Sequence, residues 1–406
     1  MRSKRLIAGV AALATAVTLL AGCSTESAPP NETTPVQGIS KDKVVKVGAF
    51  IAQSGPLAIV KAIKDAAALK FDEVNKAGGV NGYTFDYVAL DDQADPAQTV
   101  TAVKQLWEQD KVFALFMPYG SGSNNAAKEY VLENKIPLLF PFASADIYLK
   151  KGETPPENVF GFFPPYGDFL SGMIAYAQSE KKVKTIAVVH TNDDTGMTSV
   201  TAIKAIAAQL GLEVVDDIGF DATETNFAPI GRRVAESRAD ATVLWAITGS
   251  TEILDAAESS GYKGLWFGQD GFRGGIYLKA LQDHPDLANR FFLSTYLSPA
   301  SSPESKEFLE AWKAAYPNED PEFSQPGWVA ASLLVDAVKK ATAKGKALDW
   351  PTLQAALNSY DNASVAGVQG VTWNAESHWG ITKIAIWEFN GDSFDVTSFE
   401  TAPSLK

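Results

Sequence analysis

Histidine and cysteine are scarce in this sequence, and their scarcity excludes several kinds of site. Cys23 is the only cysteine, so the chain offers no pair for an internal disulfide. The histidines His190, His284 and His378 are scattered without metal-ligand spacing, and no His-Glu-x-x-His motif occurs. A Gly-x-Ser-x-Gly motif is also absent, which disfavours a serine hydrolase. We therefore expect neither an enzyme nor a histidine-bound metal.

Positive charge is also in short supply. The sequence has 35 Lys and Arg residues against 48 Asp and Glu residues, which gives a formal net charge of −13. Such a surface repels nucleic acid and anionic lipid, so we expect no nucleic-acid partner. The adjacent acidic pairs 91–92 and 193–194 suggest a metal, but neighbouring side chains of a strand point to opposite faces. Capping and turn roles fit them better, and we predict no metal and no cofactor.

The sequence has one long apolar run, at residues 6–21, and it follows the cationic residues Arg2, Lys4 and Arg5. The run is shorter than the roughly 20 residues that a membrane-spanning helix needs, and it has the length of a signal-peptide core. It ends in Leu20-Ala21-Gly22-Cys23, which resembles a bacterial lipobox. The resemblance implies a lipoprotein signal peptide at residues 1–22 and lipidation of Cys23. An ordinary secretory signal is the alternative.

The remaining chain is organised as a tether followed by a regular body. Residues 23–42 are polar and rich in Pro, Ser and Thr, which predicts a flexible tether to the outer face of the cytoplasmic membrane. The body that follows, about 360 residues, suits two domains. Its predicted strands, residues 44–50, 83–90, 112–117, 136–140, 185–190, 213–220, 241–247, 265–267 and 291–296, alternate with helices.

This alternation predicts an α/β fold with two doubly wound parallel sheets. Asp95-Pro96 begins one helix, and Asn226 and Ser250 are candidate caps of others. Residues 306–357 are predicted to be mostly helical. The chain ends in a predicted hairpin, residues 381–389 and 394–399, that turns at Asn390-Gly391.

Several fragments, in order, carry a resemblance that covers residues 44 to about 390. They are Val47-Gly48-Ala49-Phe50, Ser54-Gly55-Pro56, residues 73–82, residues 91–96, Gly120-Ser121-Gly122-Ser123 and Gly268-Gln269-Asp270-Gly271. With them the chain resembles the branched-chain amino-acid (Leu/Ile/Val) binding proteins of ABC importers, which have the type I periplasmic-binding-protein fold. The resemblance implies two lobes that close on a ligand.

The same resemblance places the lobes and the partners. Lobe 1 would hold residues 43–163 and 297–372, and lobe 2 residues 164–296 and 373–406. Three crossings are expected near 163–166, 295–297 and 371–373. We expect a monomer that delivers its ligand to an ABC permease in the cytoplasmic membrane.

The candidate ligand-binding residues begin with a serine-rich loop before a helix. A helix N-terminus offers free N–H groups and partial positive charge, which suit a carboxylate. The resemblance implies that Ser121, with Ser123 nearby, binds the ligand carboxylate, and that Ala143 and Ser144 supply a second contact. Helix capping by Ser123 or Asn124 is the alternative role. Asn125 stands where a dinucleotide fingerprint needs its third glycine, so a Rossmann site is disfavoured.

The resemblance also implies that Asp270 pairs with a ligand ammonium. Thr248 could supply a hydroxyl to the ligand, and Tyr166 is a further candidate ligand contact. The family's tyrosine is missing around 246–248, and an expected aromatic falls near Val60. Four aromatic residues could instead line the cleft and suit a larger acid: Tyr119, Phe142, Tyr166 and Trp245. Phe142 and Trp245 could equally be core residues.

Three functions therefore stand open. The first is an importer receptor for a branched-chain or related amino acid. The second keeps the fold but binds an aromatic or other non-amino carboxylic acid. The third is a cell-surface sensor without transport.

Overall fold

The computed structural model describes residues 35–150, 152–396 and 399–401. The predicted signal peptide and Cys23 lie outside the described residues, as does most of the predicted tether. Residues 36–42 belong to a compact body that begins at Val36. Ile39 forms a β-bridge with Val45, and the Lys46 amide donates to the Gly38 carbonyl at 2.7 Å. The prediction of a free tether up to residue 42 is therefore wrong for this segment, because its backbone pairs with the first strand.

The strands follow one another along the whole body, and most are separated by helices. They are β1 (Val44–Phe50), β2 (Thr84–Leu90), β3 (Ala114–Phe116), β4 (Leu138–Leu139), β5 (Val159–Phe160), β6 (Thr185–Thr191), β7 (Glu213–Phe220), β8 (Ala241–Trp245), β9 (Leu265–Gly268), β10 (Phe291–Thr295), β11 (Ala363–Val365), β12 (Val368–Asn374), β13 (Ser377–Ile381), β14 (Lys383–Phe389), β15 (Phe394–Val396) and β16 (Glu400–Thr401).

The helices fill the gaps between these strands. They are α1 (Lys61–Lys76), α2 (Pro96–Lys104), α3 (Ser121–Glu133), α4 (Tyr166–Ser179), α5 (Asp194–Leu210), α6 (Ala228–Ser237), α7 (Ser250–Ser259), α8 (Gly275–Gln282), α9 (Lys306–Ala315), α10 (Pro321–Ala341) and α11 (Trp350–Leu357). Across the described ranges no helix combines the length and the apolarity that a membrane crossing needs.

Two of the sheets have parallel cores, and their strands come from separate parts of the chain. The first has the order β2-β1-β3-β4-β5, and all its pairings are parallel. The second runs β15-β14-β10-β9-β8-β6-β7, with β16 beside β14. Its strands β7, β6, β8, β9 and β10 are parallel, and β14 joins β10 antiparallel. The predicted α/β class with two parallel sheets is confirmed.

Both parallel sheets are covered on both faces. Every residue of β3 and of β8 is buried, and successive side chains of a strand point to opposite faces. Strands buried in this way read as continuous apolar runs, which is why the sequence alone located them. The short β5 was not predicted, because only Val159 and Phe160 carry its pattern.

A small antiparallel sheet, β11-β12-β13, changes the expected path of the chain. The predicted third crossing, 371–373, lies inside β12, and the chain enters the second sheet only at β14. The Gly161 amide donates to the His378 carbonyl at 2.8 Å, and the His378 ring stacks on Phe160 at 4.0 Å. Residues 373–381 therefore pack with the first sheet, contrary to their predicted place in lobe 2. The other lobe boundaries stay a prediction.

The predicted helix caps have mixed outcomes. The Asp95 carboxylate accepts hydrogen bonds from the amides of Ala97 and Gln98, with Pro96 as the first residue of α2, as expected. Asn226 does not cap α6, since Phe227 precedes that helix. Ser250 is the first residue of α7, and its hydroxyl donates to the Ala246 carbonyl at 2.6 Å. Both of these cap predictions are wrong because the chain turns one residue later or earlier.

Candidate functional site

A cavity of about 350 Å³ lies at the carboxyl ends of strands from both parallel sheets. Loops after β3 and β4 contribute from the first sheet, and loops after β6, β8 and β9 contribute from the second. Parallel α/β sheets bind ligands at this edge, because the loops there are free to vary while the strands hold them in place. Helices α1 and α10 close the cavity with Ile63 and Phe323.

The N-terminus of α3 forms one wall of this cavity. Gly120 precedes it with φ of +94°, a conformation that residues with a Cβ rarely adopt. No side chain caps α3, and among the described residues no acceptor binds the amides of Ser121, Gly122 and Ser123. A Cβ added at Gly122 would meet no atom within 4 Å. The wall therefore presents open N–H donors and the positive end of a helix dipole.

Ser121 meets Tyr166 across the cavity wall. Their hydroxyl oxygens are 2.9 Å apart, and both residues line the cavity. Burial raises the pKa of Tyr166 to about 12, so this hydroxyl keeps its proton and can donate to a ligand. Asn125, also on α3, donates to the Asp194 carboxylate of α5 at 2.8 Å. Two contacts thus join α3 to helices that flank the second sheet.

Ser123 and Ser144 both form hydrogen bonds within the protein. The Ser123 hydroxyl lines the cavity, but it donates to the buried Asp92 carboxylate at 2.7 Å and accepts from Thr99 at 3.0 Å. The Ser144 hydroxyl accepts from the Tyr166 amide at 3.0 Å, and Ser144 is not among the lining residues. Ser144 therefore holds Tyr166 in place, while its neighbour Ala143 faces the cavity.

Aromatic rings form much of the remaining wall. Tyr119 stacks on Phe142 with ring centroids 5.4 Å apart, and Phe163 contacts Phe142 at 5.3 Å. Trp245 lies 5.7 Å from Tyr166 in an edge arrangement. Phe142 and Trp245 both line the cavity and pack in the core, so the two roles considered for them coexist. The wall suits an apolar body with a planar face.

Asp270 lies in the cavity wall with a partner that the sequence analysis missed. The Arg273 guanidinium donates from Nε to the Asp270 carboxylate at 2.8 Å and from Nη1 to the Glu322 carboxylate at 2.9 Å. Nη1 also approaches the Gln325 carbonyl oxygen at 3.3 Å. The Arg273 side chain is 2% exposed. The sequence contained a signal for this ion pair, because an arginine three residues after Asp270 comes within ion-pairing distance if the two residues share a helical turn.

Glu322 is the most strongly perturbed acid of this cluster. Burial raises its pKa to about 7, although Arg273 and the Ala300 amide, which donates at 2.8 Å, act in the opposite direction. Burial also raises the pKa of the neighbouring Asp320. The cluster therefore joins the loop after β9 to the first turns of α10 through one buried cation.

The remaining predicted residues are placed as follows. Thr248 lines the cavity together with Ala246 and Ile247, and Tyr277 of α8 lies beside them, where its hydroxyl donates to the Ile247 carbonyl at 3.0 Å. The acidic residues on the rim are engaged: Asp193 accepts from the Gly196 amide at 2.8 Å, and Asp194 accepts from Asn125. The described part of the chain holds no group of three or more acidic, His or Cys side chains that could bind a metal.

Comparison with known proteins shows similarity to periplasmic binding proteins over most of the chain. A family model described as a periplasmic binding protein matches residues 44–393. The leucine-, isoleucine-, valine-, threonine- and alanine-binding protein of Pseudomonas aeruginosa is 24% identical over 307 residues, which covers 73% of this chain and 78% of that protein.

Two solved structures share the fold. A branched-chain amino-acid ABC transporter protein from Thermus thermophilus, with bound valine, has a TM-score of 0.77 and 21% identity, over 89% of this chain and 97% of that one. A fatty-acid ABC transporter substrate-binding protein from Thermomonospora curvata has a TM-score of 0.74 and 23% identity, over 91% and 95%. The expected type I periplasmic-binding-protein fold is confirmed.

Proposed function

This chain belongs to the periplasmic binding protein family, and from that premise we propose that its ligand is a carboxylic acid without an amino group. As a member it is an extracytoplasmic substrate-binding protein that works with an ABC importer, and it is not an enzyme. The ligand class and the attachment to the membrane are the parts that we add.

The ion pair between Asp270 and Arg273 carries the ligand proposal. An amino-acid ligand needs an unpaired acidic group in the cavity for its ammonium, and Asp270 was the residue expected to supply it. Arg273 contacts one oxygen of Asp270 at 2.8 Å inside the wall and balances its charge. An incoming ammonium would therefore meet a paired carboxylate beside a like-charged guanidinium, which opposes its binding.

The rest of the cavity supports the same ligand class. The amides of α3 and the hydroxyls of Ser121 and Tyr166 provide donors for a carboxylate. The rest of the lining is largely aromatic and aliphatic, with Trp245, Phe142 and Ile247 among its residues. A carboxylate at one end and an apolar body behind it match this distribution of donors and rings.

Matched ligand pairs test the proposal directly. Leucine and isocaproate differ only by the amino group, as do phenylalanine and hydrocinnamate. Isothermal titration of the purified protein should give tighter binding of the acid than of the amino acid in at least one pair. Preference for leucine or phenylalanine in both pairs would contradict the proposal and return the ligand to the amino-acid class. No binding of any acid would also contradict it.

A matched variant locates the carboxylate. Ser121→Ala should weaken binding of the acid by about tenfold, because a hydrogen bond to a charged group contributes about 1.5 kcal/mol or more. Thr201→Ala is the control, since its exposed hydroxyl donates only to the Met197 carbonyl on the outside of α5. Equal affinity of the two variants would show that Ser121 does not bind the carboxylate.

We also propose that the protein is lipid-anchored through Cys23 at the outer face of the cytoplasmic membrane. The support is Leu20-Ala21-Gly22-Cys23 at the end of the apolar run. A Cys23→Ser variant should move from the membrane fraction to the soluble fraction, and the intact mass of the unaltered protein should include the lipid. An unmodified Cys23 in membrane extracts would contradict the anchor.

A further inference from the structure

Arg273, in the turn after β9, is a second polar group that lines the cavity. Its side chain is 2% exposed, yet Arg273 is one of the residues that line the cavity. Nε and Nη1 are both occupied, by Asp270, Glu322 and Gln325. Nη2 has no acceptor among the described residues. This nitrogen keeps some surface in contact with open space. A guanidinium buried to this extent normally has all its donors satisfied.

The surrounding groups hold this guanidinium rigidly. Asp270 and Arg273 belong to one turn of 3-10 helix after β9, and Glu322 and Gln325 lie on the first turns of α10. The Gln325 amide in turn donates to the Ser298 carbonyl at 3.0 Å and to the Ser305 hydroxyl at 2.9 Å, which fixes its carbonyl oxygen toward Arg273. A donor fixed on both sides loses little entropy when it binds a ligand.

Charge decides what kind of ligand group this donor can take. Two carboxylates already contact Arg273, and Asp320 lies close to the same cation. A further anionic group would meet the negative charge of Asp270 in a largely buried cluster, where repulsion is stronger than in water. A neutral oxygen acceptor meets no such opposition and still gains a charge-assisted hydrogen bond.

We propose that Arg273 binds a neutral oxygen of the ligand, so the ligand is a carboxylic acid that also carries a keto, amide or hydroxyl oxygen. The inference rests on the proposed function, because it assumes that the carboxylate lies at α3. Specificity then comes from two polar ends: the amides of α3 hold the acid and Arg273 selects the second oxygen. An unsubstituted acid would leave Nη2 without an acceptor, which costs binding free energy.

Isosteric ligand pairs measure this selection on the unaltered protein. Levulinate and isocaproate differ by a keto oxygen in place of a methyl group, as do para-acetylbenzoate and para-isopropylbenzoate. The keto acid should bind about tenfold or more tightly in at least one pair, as expected for a hydrogen bond to a charged donor. Equal or tighter binding of the alkyl acid in both pairs would overturn the inference, as would binding of unsubstituted acids alone.

A variant assigns the effect to the guanidinium. Arg273→Lys should reduce the keto-to-alkyl affinity ratio to about threefold or less, since a lysine that keeps the ion pairs has no second nitrogen for the ligand. General damage to the cavity would weaken both members of a pair alike and leave their ratio unchanged. Arg290→Lys is the control, because Arg290 binds the Glu258 carboxylate at 3.0 Å and does not line the cavity.

The possible failures are distinguishable. If Arg273→Lys folds and keeps the full ratio, another residue selects the oxygen and the inference is overturned. If it does not fold, the ratio in the unaltered protein decides. If both members of each pair bind equally, the proposal of a carboxylic-acid ligand is retained and the proposed role of Arg273 is contradicted. If amino acids bind in preference to every acid, the proposed function itself fails.

Discussion

Replacing Glu322 by glutamine should change how the stability of this protein depends on pH. Glu322 is buried beside Arg273, and burial raises its pKa to about 7 from an ordinary value of 4.5. Arg273 donates to one oxygen of Glu322 and the Ala300 amide donates to the other, so glutamine keeps one of these two acceptors and cannot titrate. The lost acceptor gives an offset that does not depend on pH, so the change of the stability difference with pH reports the proton alone.

The sign and size of this pH dependence follow from proton linkage. Between the two pKa values the folded state holds a proton on Glu322 that the unfolded chain has lost. The folded state binds more protons there, so the free energy of unfolding falls as pH rises, by about 1.36 kcal/mol per pH unit. The contribution is constant well below 4.5 and constant again above about 7. From about pH 5 to about pH 8 the Glu322→Gln variant should gain about 2 to 3 kcal/mol on the unaltered protein.

Urea unfolding across this pH range, with both proteins in the same buffers, measures the difference provided that each unfolds in a single transition. Asp240→Asn is the matched control. Hydrogen bonds from the backbone amides of Lys184 and Thr185 lower the pKa of Asp240, so it titrates below this range and its substitution should give a constant offset. A flat difference for Glu322→Gln, within about 0.5 kcal/mol, would refute the reasoning, because it would mean that Arg273 outweighs burial and keeps the carboxylate ionised.

Further predictions concern α3 and its neighbours. Ser123→Ala should lower stability by about 1 to 2 kcal/mol in urea unfolding without weakening ligand binding, because its hydroxyl serves Asp92 and Thr99; a loss of affinity equal to that of Ser121→Ala would contradict this. Gly122→Leu should leave the melting temperature unchanged or raised and should abolish acid binding in titration, since the added side chain meets open cavity and not protein. Asp95→Ala should cost about 1 kcal/mol of stability through loss of a cap with two amide donors, and an unchanged unfolding midpoint would contradict it.

Local patterns were enough for most of the fold. Residues 44–50 and 213–220 were predicted to the residue as β1 and β7. β1 is mostly apolar because it lies inside its sheet, whereas β7 lies at a sheet edge and has a mixed pattern that ends in buried Ile218 and Phe220. The start of α2 was predictable because Asp95 and Pro96 act within one turn. The loop at Gly120 was recognisable because its glycine needs a positive φ and follows a buried strand.

Patterns failed where partners distant in sequence decided the outcome. The hydroxyl of Ser123, a predicted ligand contact, donates a hydrogen bond to Asp92, 31 positions earlier, and no local pattern indicated that partner. The predicted third crossing lies in the second strand of the small sheet at residues 363–381. A hydrogen bond between Gly161 and His378 holds that sheet to the first sheet. Phe323 reached the cavity from a helix for which the sequence predicted only its helicity.

By itself the sequence determined the α/β alternation, the acidic surface and the positions of the loops that end the strands, since each depends on neighbours along the chain. Only the tertiary structure decided what the cavity can bind. It brought Glu322 and Gln325 to Arg273 across about 50 residues of chain, and so paired the aspartate that was expected to bind an ammonium. The charge of a buried group depends on which partners share its low-dielectric surroundings, and that is a property of packing that no single segment carries.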